Sequence, residues 1–380
     1  MKLNRLAIAV AAVLVSSPAW SNNQYRVSNQ TYGYYYVNKN LSSPMFGLDE
    51  YGNQNTFYAS EYLGYASDYN EGNNSGAVPA ALVQTGTWVG KPSNDPSTEL
   101  KDVDYDFYAY TTWGKNHARA SFDNYQQVDT TSTAYYLPSD GSGTSLDLPE
   151  MSITTSSSSN VYGYATSRWE ELYMIGTSSI SALGHYNATF HVDGKLGPSA
   201  NSDGTGSSSL YWYLRDFNGN NLVSISASYD AGSNSWSKST YSAGVSNYQS
   251  GSGELIINEN LKQNGGTFNY GTALYLDSYL QTYVDGNGVS NFGNTVEMTE
   301  LELEGGSRVY AMSGTDLSVY NIAFDSTNGG GGVLCDGLNC ATTGGGGGTV
   351  IPGVPEPETY AMMLAGLALV GWSARRRRSV

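Results

Sequence analysis

The chain has 380 residues, with 18 Lys and Arg against 34 Asp and Glu, for a formal net charge of −16. That balance argues against a nucleic-acid partner, because phosphate binding needs a basic footprint. Charge is sparse at 14% of residues, whereas Tyr numbers 32 and Gly 45, so Ser, Thr, Asn and Tyr supply the polar surface; strand-favouring Tyr and Thr with turn-favouring Gly and Asn describe an extracellular β-protein rather than a cytosolic enzyme.

Residues 1–21 have the layout of a secretory signal peptide. Lys2 and Arg5 give a charged start, Leu6 to Val15 a ten-residue apolar run, and Ala19-Trp20-Ser21 small residues at the two positions a signal peptidase reads. Cleavage is expected after Ser21. Ten apolar residues are too few to span a bilayer. Residues 22–328 are then the folded body, long enough for one large sandwich or two smaller units.

From Asn22 to Gly76 the chain is rich in Tyr, Asn, Ser and Gly, with Tyr32, Tyr34, Tyr35 and Tyr36 as its densest cluster. Two readings stand side by side: short strands with exposed loops, or a tyrosine platform that stacks on sugar rings. Asp102, Asp104 and Asp106 alternate, so a strand here puts three carboxylates on one face. Three such oxygens would suit calcium. An EF-hand loop needs glycine after the third acid, however, and Phe107 stands there, so a solvated strand face is the expectation. Phe107 to Trp113 and Ala118 to Tyr125 read as successive strands around a Gly114-Lys115-Asn116-His117 turn. Pro138 to Asn160, with Asp140-Gly141-Ser142-Gly143 and the serines 156–159, reads as a long loop and the best internal boundary.

Beyond it the period-2 pattern is clear. Tyr162 to Ile175, Ala188 to Val192, Leu210 to Leu214 and Val223 to Tyr229 alternate. Leu210, Trp212 and Leu214 share one face, with Tyr211, Tyr213 and Arg215 on the other. Val223, Ile225, Ala227 and Tyr229 oppose Ser224, Ser226 and Ser228. Turns are expected at Asp193-Gly194, Asn218-Gly219, Asp230-Ala231-Gly232 and Asp285-Gly286. Thr272 to Leu280 and Val296 to Leu303 add further strands, and the apolar phase of the second slips between Met298 and Leu301, the mark of a β-bulge. Short strands at regular spacing with Gly/Asn turns mean an all-β, antiparallel, jelly-roll-like sandwich.

The body offers little catalytic chemistry. There are three histidines, His117, His185 and His191. The last two are six apart and share a face if they lie on one strand, with no evident third ligand, so no metal site is expected. No G-x-S-x-G elbow, H-E-x-x-H helix or P-loop occurs. Glu170 and Glu171 are adjacent and point to opposite faces of a strand; neither they nor Glu254 and Glu259 receive a role. No catalytic residue and no cofactor is expected. The two cysteines, Cys335 and Cys340, sit late in the chain. Their spacing suits a small disulfide loop in an oxidising compartment and is too sparse for structural zinc; the sequence leaves disulfide and free thiols open.

Residues 329–353 form a Gly-rich linker, with glycine runs at 329–332 and 344–348 and no reason to pack. After it come Val354-Pro355-Glu356-Pro357, an apolar run from Tyr360 to Trp372, and Arg375-Arg376-Arg377-Arg378. The 13-residue run makes a helix of about 20 Å, short for a bilayer core of about 30 Å. Arginine stems can snorkel to lengthen it. A basic cluster stays on the cytoplasmic side and leaves everything upstream outside. Removal of both ends leaves the mature region with 12 basic and 32 acidic residues, near −20.

Residues 354–378 resemble the PEP-CTERM sorting signal: a Pro-Glu-Pro motif, an apolar helix containing Leu364-Ala365-Gly366-Leu367, then arginines, in that order. The resemblance implies export across the inner membrane of a Gram-negative, exopolysaccharide-making bacterium. It also implies transient anchoring in that membrane, cutting near the motif by an exosortase, and a destination at the cell surface or in the matrix. Ala165 to Trp169, Thr189 to Gly194, and Phe292-Gly293-Asn294-Thr295 through Ser313 to Asp316 are similar to the β-sandwich body of many PEP-CTERM proteins. The implied partners are signal peptidase, exosortase, the inner membrane and exopolysaccharide. The expected function is that of an exported, non-enzymatic surface or matrix protein, with a carbohydrate-binding or adhesive module and a glycan-active enzyme as alternatives.

Overall fold

A computed structural model describes residues 26–42, 56–73, 78–90, 100–136, 151–177, 183–202, 205–216, 218–242, 245–270, 273–305, 307–313, 322–325, 333–336 and 339–342. Among these residues the chain is all β, in two sheets, with no helix. The strands are β1 (Arg26–Ser42), β2 (Thr56–Asn73), β3 (Leu82–Trp88), β4 (Val103–Thr112), β5 (Lys115–Asp123), β6 (Asp129–Tyr136), β7 (Met151–Thr177), β8 (Leu183–Gly197), β9 (Ser207–Arg215) and β10 (Asn221–Asp230). They continue with β11 (Ser235–Ser242), β12 (Val245–Ser252), β13 (Leu255–Asn269), β14 (Ala273–Asp285), β15 (Gly288–Glu304), β16 (Ser307–Ala311), β17 (Ile322–Asp325), β18 (Val333–Asp336) and β19 (Asn339–Thr342).

The larger sheet runs β12-β11-β10-β9-β14-β7, and β7 continues it through β1 to β2 and through β16 to β18 and β19. The smaller runs β13-β8-β15-β5-β4-β3, with β17 beside β15. Ladders are antiparallel except β15 with β17 and β16 with β18. From β7 to β9 and again from β12 to β17, successive strands change sheet, so the chain wraps the two layers around one interior.

The 27-residue β7 is the spine. One edge holds β6 and then β14; the other holds β1 and then β16. The alternation of Val161, Gly163, Ala165, Ser167, Trp169, Glu171, Tyr173 and Ile175 fixes which face turns inward, because a strand's side-chain period is two. The inward side chains build an aromatic core in which Trp169 stacks on Phe190 at 6.4 Å and Phe190 meets Trp212 at 5.1 Å. A second cluster around Phe107, Trp88 and Phe122 closes the other end. There the sheets approach through glycine. A Cβ on Gly163 would lie 2.5 Å from the Phe107 ring, and one on Gly64 2.1 Å from Trp88.

A polar seam crosses the core. Thr111 Oγ1 donates to Asn29 Oδ1 at 2.6 Å and lies 2.7 Å from Ser167 Oγ. Asn116 Nδ2 donates to the Ser167 carbonyl at 2.9 Å. Trp212 Nε1 donates to Ser278 Oγ at 2.9 Å, and Ser278 Oγ donates to Asn116 Oδ1 at 2.6 Å. Satisfied buried polar groups of this kind fix one register between the layers, since any slip leaves them unpaired.

Several sequence expectations are corrected. Residues 151–160 are strand, not loop: serines 156–159 pair with β1 on one side while 156–158 pair with β6 on the other. Short strands were one reading of residues 22–76, yet β1 and β2 have 17 and 18 residues. The turn after β4 is only Trp113-Gly114, with Gly114 at φ 78°, and Lys115, Asn116 and His117 belong to β5. Asp193-Gly194 is no turn; it lies within β8, where Gly194 admits Phe292 against the backbone. The stretch expected to be an unpacked linker contains β18 and β19, added to the sheet through β16. The turns at Asn218-Gly219, Asp230 to Gly232 and Asp285-Gly286 are present. So is the bulge, a register shift between Met298 and Glu300.

Candidate functional site

The outer faces of the two sheets differ in chemistry. The smaller sheet carries ion pairs: Arg119–Asp106 at 2.9 Å, Lys115–Glu297 at 2.9 Å and Lys195–Glu254 at 2.6 Å. The larger sheet carries tyrosine. Its outward positions follow from register: Tyr34 lies opposite Tyr65 of β2 and Tyr162 of β7, Tyr36 opposite Tyr62, and Tyr32 opposite Tyr164, which faces Tyr283 of β14. Farther along, Tyr279 of β14 faces Tyr213 of β9. Beyond β9, Ser224, Ser226 and Ser228 of β10 lie opposite Tyr241, Ser239 and Ser237 of β11, and Tyr248 of β12 is 71% exposed.

Ring geometry separates two classes of tyrosine. Tyr32 stacks on Tyr164 at 5.3 Å, Tyr34 on Tyr162 at 5.1 Å, and Tyr213 on Tyr279 at 5.3 Å. Rings stacked across neighbouring strands give their faces to each other and present edges and hydroxyls outward. On the edge strand, Tyr65 stands at 88° to Tyr32 and Tyr62 at 90° to Tyr34, and these two are 60% and 68% exposed. Among the described ring pairs, neither is stacked face to face on another ring. Burial, then neighbouring tyrosines, pushes Tyr34 up to about 12; burial, then Tyr213, does the same for Tyr279. Both therefore stay neutral donors across the ordinary pH range.

Beside the tyrosines lies a charged clamp. Arg168 donates through Nε and Nη2 to Asp277 at 2.8 and 2.9 Å, and its Nη2 is 2.8 Å from Glu170. Asp277 and Glu170 are direct cross-strand partners, and both are buried. Burial pushes the Glu170 carboxyl up, with Arg168 opposing. The fork of one arginine on two carboxylates is a structural lock that joins β14 to β7. At the neighbouring position the Arg215 guanidinium lies 3.7 Å from the Tyr213 ring centre, a cation–π stack.

The remaining sequence candidates are dispersed. Asp104 accepts from Thr87 and Asn124, Asp106 pairs with Arg119, and Asp102 accepts from the Gly90 N–H, all with protein partners. Asp102 and Asp104 border an open hollow of about 620 Å³ with Thr87, Leu100, Lys101 and Asn124. His185 and His191 do share a strand face, β8 being unbroken, and His191 Nδ1 meets Asn260. His117 stands on the same outer face two strands away, on β5, with Nδ1 2.9 Å from the Gly293 carbonyl. Glu170 and Glu171 take opposite faces as expected, and Glu171 is fully buried. Cys335 and Cys340 are direct partners in the β18–β19 register. Cleavage after Ser21, Val354 to Pro357, Tyr360 to Trp372 and Arg375 to Arg378 lie outside the described residues.

Sequence reasoning found the Tyr32–Tyr36 cluster and the Tyr211/Tyr213 face but did not join them. The available signal was the repeated Tyr-x-Tyr spacing at 32/34/36, 162/164 and 211/213. What joined them was pairing between distant strands.

Comparison with known families places a PEP-CTERM protein-sorting motif at residues 353–378. This chain carries a PEP-CTERM sorting motif. The motif implies export in a bacterium, membrane-associated processing, and an exosortase as the processing partner. It covers the tail, and the tyrosine face lies wholly upstream of it. No curated protein matches the chain. Among solved structures, the outer membrane protease OmpT from Escherichia coli aligns over 73% of this chain and 99% of its own, at 9% identity and a TM-score of 0.13. That likeness is too slight to bear on fold or function.

Proposed function

We propose that this is a non-catalytic protein of the cell surface or exopolysaccharide matrix of a Gram-negative bacterium, and that its tyrosine face adheres to extracellular glycan. In this reading residues 1–21 are removed on export, Tyr360 to Trp372 hold the chain briefly in the inner membrane, and cutting occurs near Pro355-Glu356-Pro357. The observation that carries the adhesive role is the continuous outward tyrosine array on β2, β1, β7 and β14. Sugars present C–H faces that suit aromatic rings and hydroxyls that suit neutral phenols. The two exposed rings, Tyr62 and Tyr65, supply the first kind of contact, and the stacked tyrosines supply the second. The change of sheet between successive strands supports the jelly-roll-like reading of the body. The Cys335–Cys340 register supports a disulfide across the β18–β19 hairpin.

A polysaccharide array probed with the protein and with Tyr62→Ala/Tyr65→Ala tests the adhesive role. Retention that is lost in the variant is expected; equal retention of both proteins refutes it. Localisation of a tagged chain, with and without Glu356→Ala and the arginine cluster, tests the routing. Identical location and mass in all forms would refute that part.

A further inference from the structure

We infer that the glycan held by this face is uncharged and extended; the inference rests on the glycan-binding reading above and adds the chemical class of the ligand. Its first support is the make-up of the array. Around the stacked pairs, the outward positions of β2, β1 and β7 between Tyr69 and Tyr36 are tyrosine, serine, glutamine, asparagine and threonine, and the charge that β14 adds at the border is the Asp285 carboxylate. The second support is the state of three cations on this sheet face. Arg26 is 3.2 Å from Glu71 and donates to the Tyr69 hydroxyl. Arg168 is forked on Asp277 and bridges to Glu170. Arg215 lies over Tyr213 and donates to Asn221.

An acidic polymer would have to break one of these arrangements or settle beside Asp285, on a body near −20 overall. A neutral polymer meets phenols, amides and ring edges, and breaks none of these arrangements. Extension follows from spacing. The rows Tyr65–Tyr34–Tyr162 and Tyr32–Tyr164–Tyr283 step from strand to strand by about 4.8 Å. That step is close to the length of one pyranose ring in an extended chain. The rows lie two residues apart along the strands, about 7 Å, so adjacent rows can seat adjacent glycan chains.

The test uses two soluble β-1,4-glucans that share a backbone and differ in charge, one hydroxyethylated and one carboxymethylated. Retention of the full-length protein is measured at about 0.01 M and about 1 M salt, where screening lengths are about 30 Å and about 3 Å. Binding to the hydroxyethyl polymer should be at least tenfold tighter than to the carboxymethyl polymer at low salt, and indifferent to salt. Binding to the carboxymethyl polymer should improve as salt screens the repulsion. Tyr62→Ala/Tyr65→Ala should lose at least tenfold on the hydroxyethyl polymer with an unchanged unfolding midpoint. Tighter binding to the carboxymethyl polymer that falls with salt would overturn the uncharged ligand while leaving glycan binding intact. Retention on neither polymer would overturn both.

Discussion

Replacement of Glu171 by glutamine isolates one buried carboxyl and gives it a pH signature. Glu171 is fully buried on the inward side of β7, and its acceptors are filled by neutral donors. Oε1 takes the Leu172 N–H at 2.9 Å and the Ser313 N–H at 3.2 Å, and Oε2 takes Ser313 Oγ at 2.5 Å. Burial lifts the carboxyl from an ordinary 4.5 to about 7, against the pull of those hydrogen bonds. The fold therefore favours the protonated form. Stability from this group is fully present below pH 4.5 and is lost as pH rises through about 7. The gap of about 2.5 pH units, at about 1.4 kcal/mol each, amounts to about 3–4 kcal/mol. Glutamine imitates the protonated acid: its carbonyl oxygen keeps both N–H donors, and its amide donates to a rotated Ser313 hydroxyl. Urea unfolding of both proteins from pH 4 to pH 8 measures the difference, in which all shared carboxylates cancel. The glutamine variant should match the parent within about 1 kcal/mol at pH 4 and exceed it increasingly up to pH 8. A difference that stays flat across that range would refute the reasoning.

Arg168→Met should cost about 3–5 kcal/mol, because Glu170 and Asp277 are left buried without their cation; a cost below about 1 kcal/mol in denaturant unfolding contradicts the clamp. Gly163→Ala should cost about 1–3 kcal/mol by pushing a methyl into the Phe107 ring. Combination with Phe107→Leu should recover part of that loss, and strict additivity of the two would show that they do not meet. Asn116→Ala should cost about 1–3 kcal/mol in the same assay, since it removes the acceptor of Ser278 and the donor to the Ser167 carbonyl. An unchanged midpoint would mean that the seam holds nothing.

Much of the fold was legible residue by residue. The alternation in β9 and β10, their inward and outward sets, three of the four Gly-marked turns and the bulge near Met298 all follow from a period of two and from turn chemistry. Errors arose where local signals compete with distant partners. Serines 156–159 look like loop by composition, yet they are strand because β1 and β6 pair along them. Asp193-Gly194 looks like a turn, yet the missing Cβ serves an approach of Phe292 from the adjacent strand. Cys335 and Cys340 sit in a glycine-flanked segment that composition reads as a tether, while β16 supplies an edge for it to pair with.

The sequence by itself determined the address and the material: an ordered sorting motif at the tail, an acidic Tyr- and Ser-rich β body, and the in-or-out sense of strands such as β9 and β10. These are local properties, set by side-chain order along one segment. Only the tertiary structure decided that Tyr32 and Tyr65 of the consecutive strands β1 and β2 form one surface with Tyr164 and Tyr283 of the distant β7 and β14. Strand order and register are set by which buried groups match across ladders, here the Phe107 glycine contacts and the Asn116–Ser167–Ser278 seam. No single segment contains that information, because each half of every match lies on a different strand.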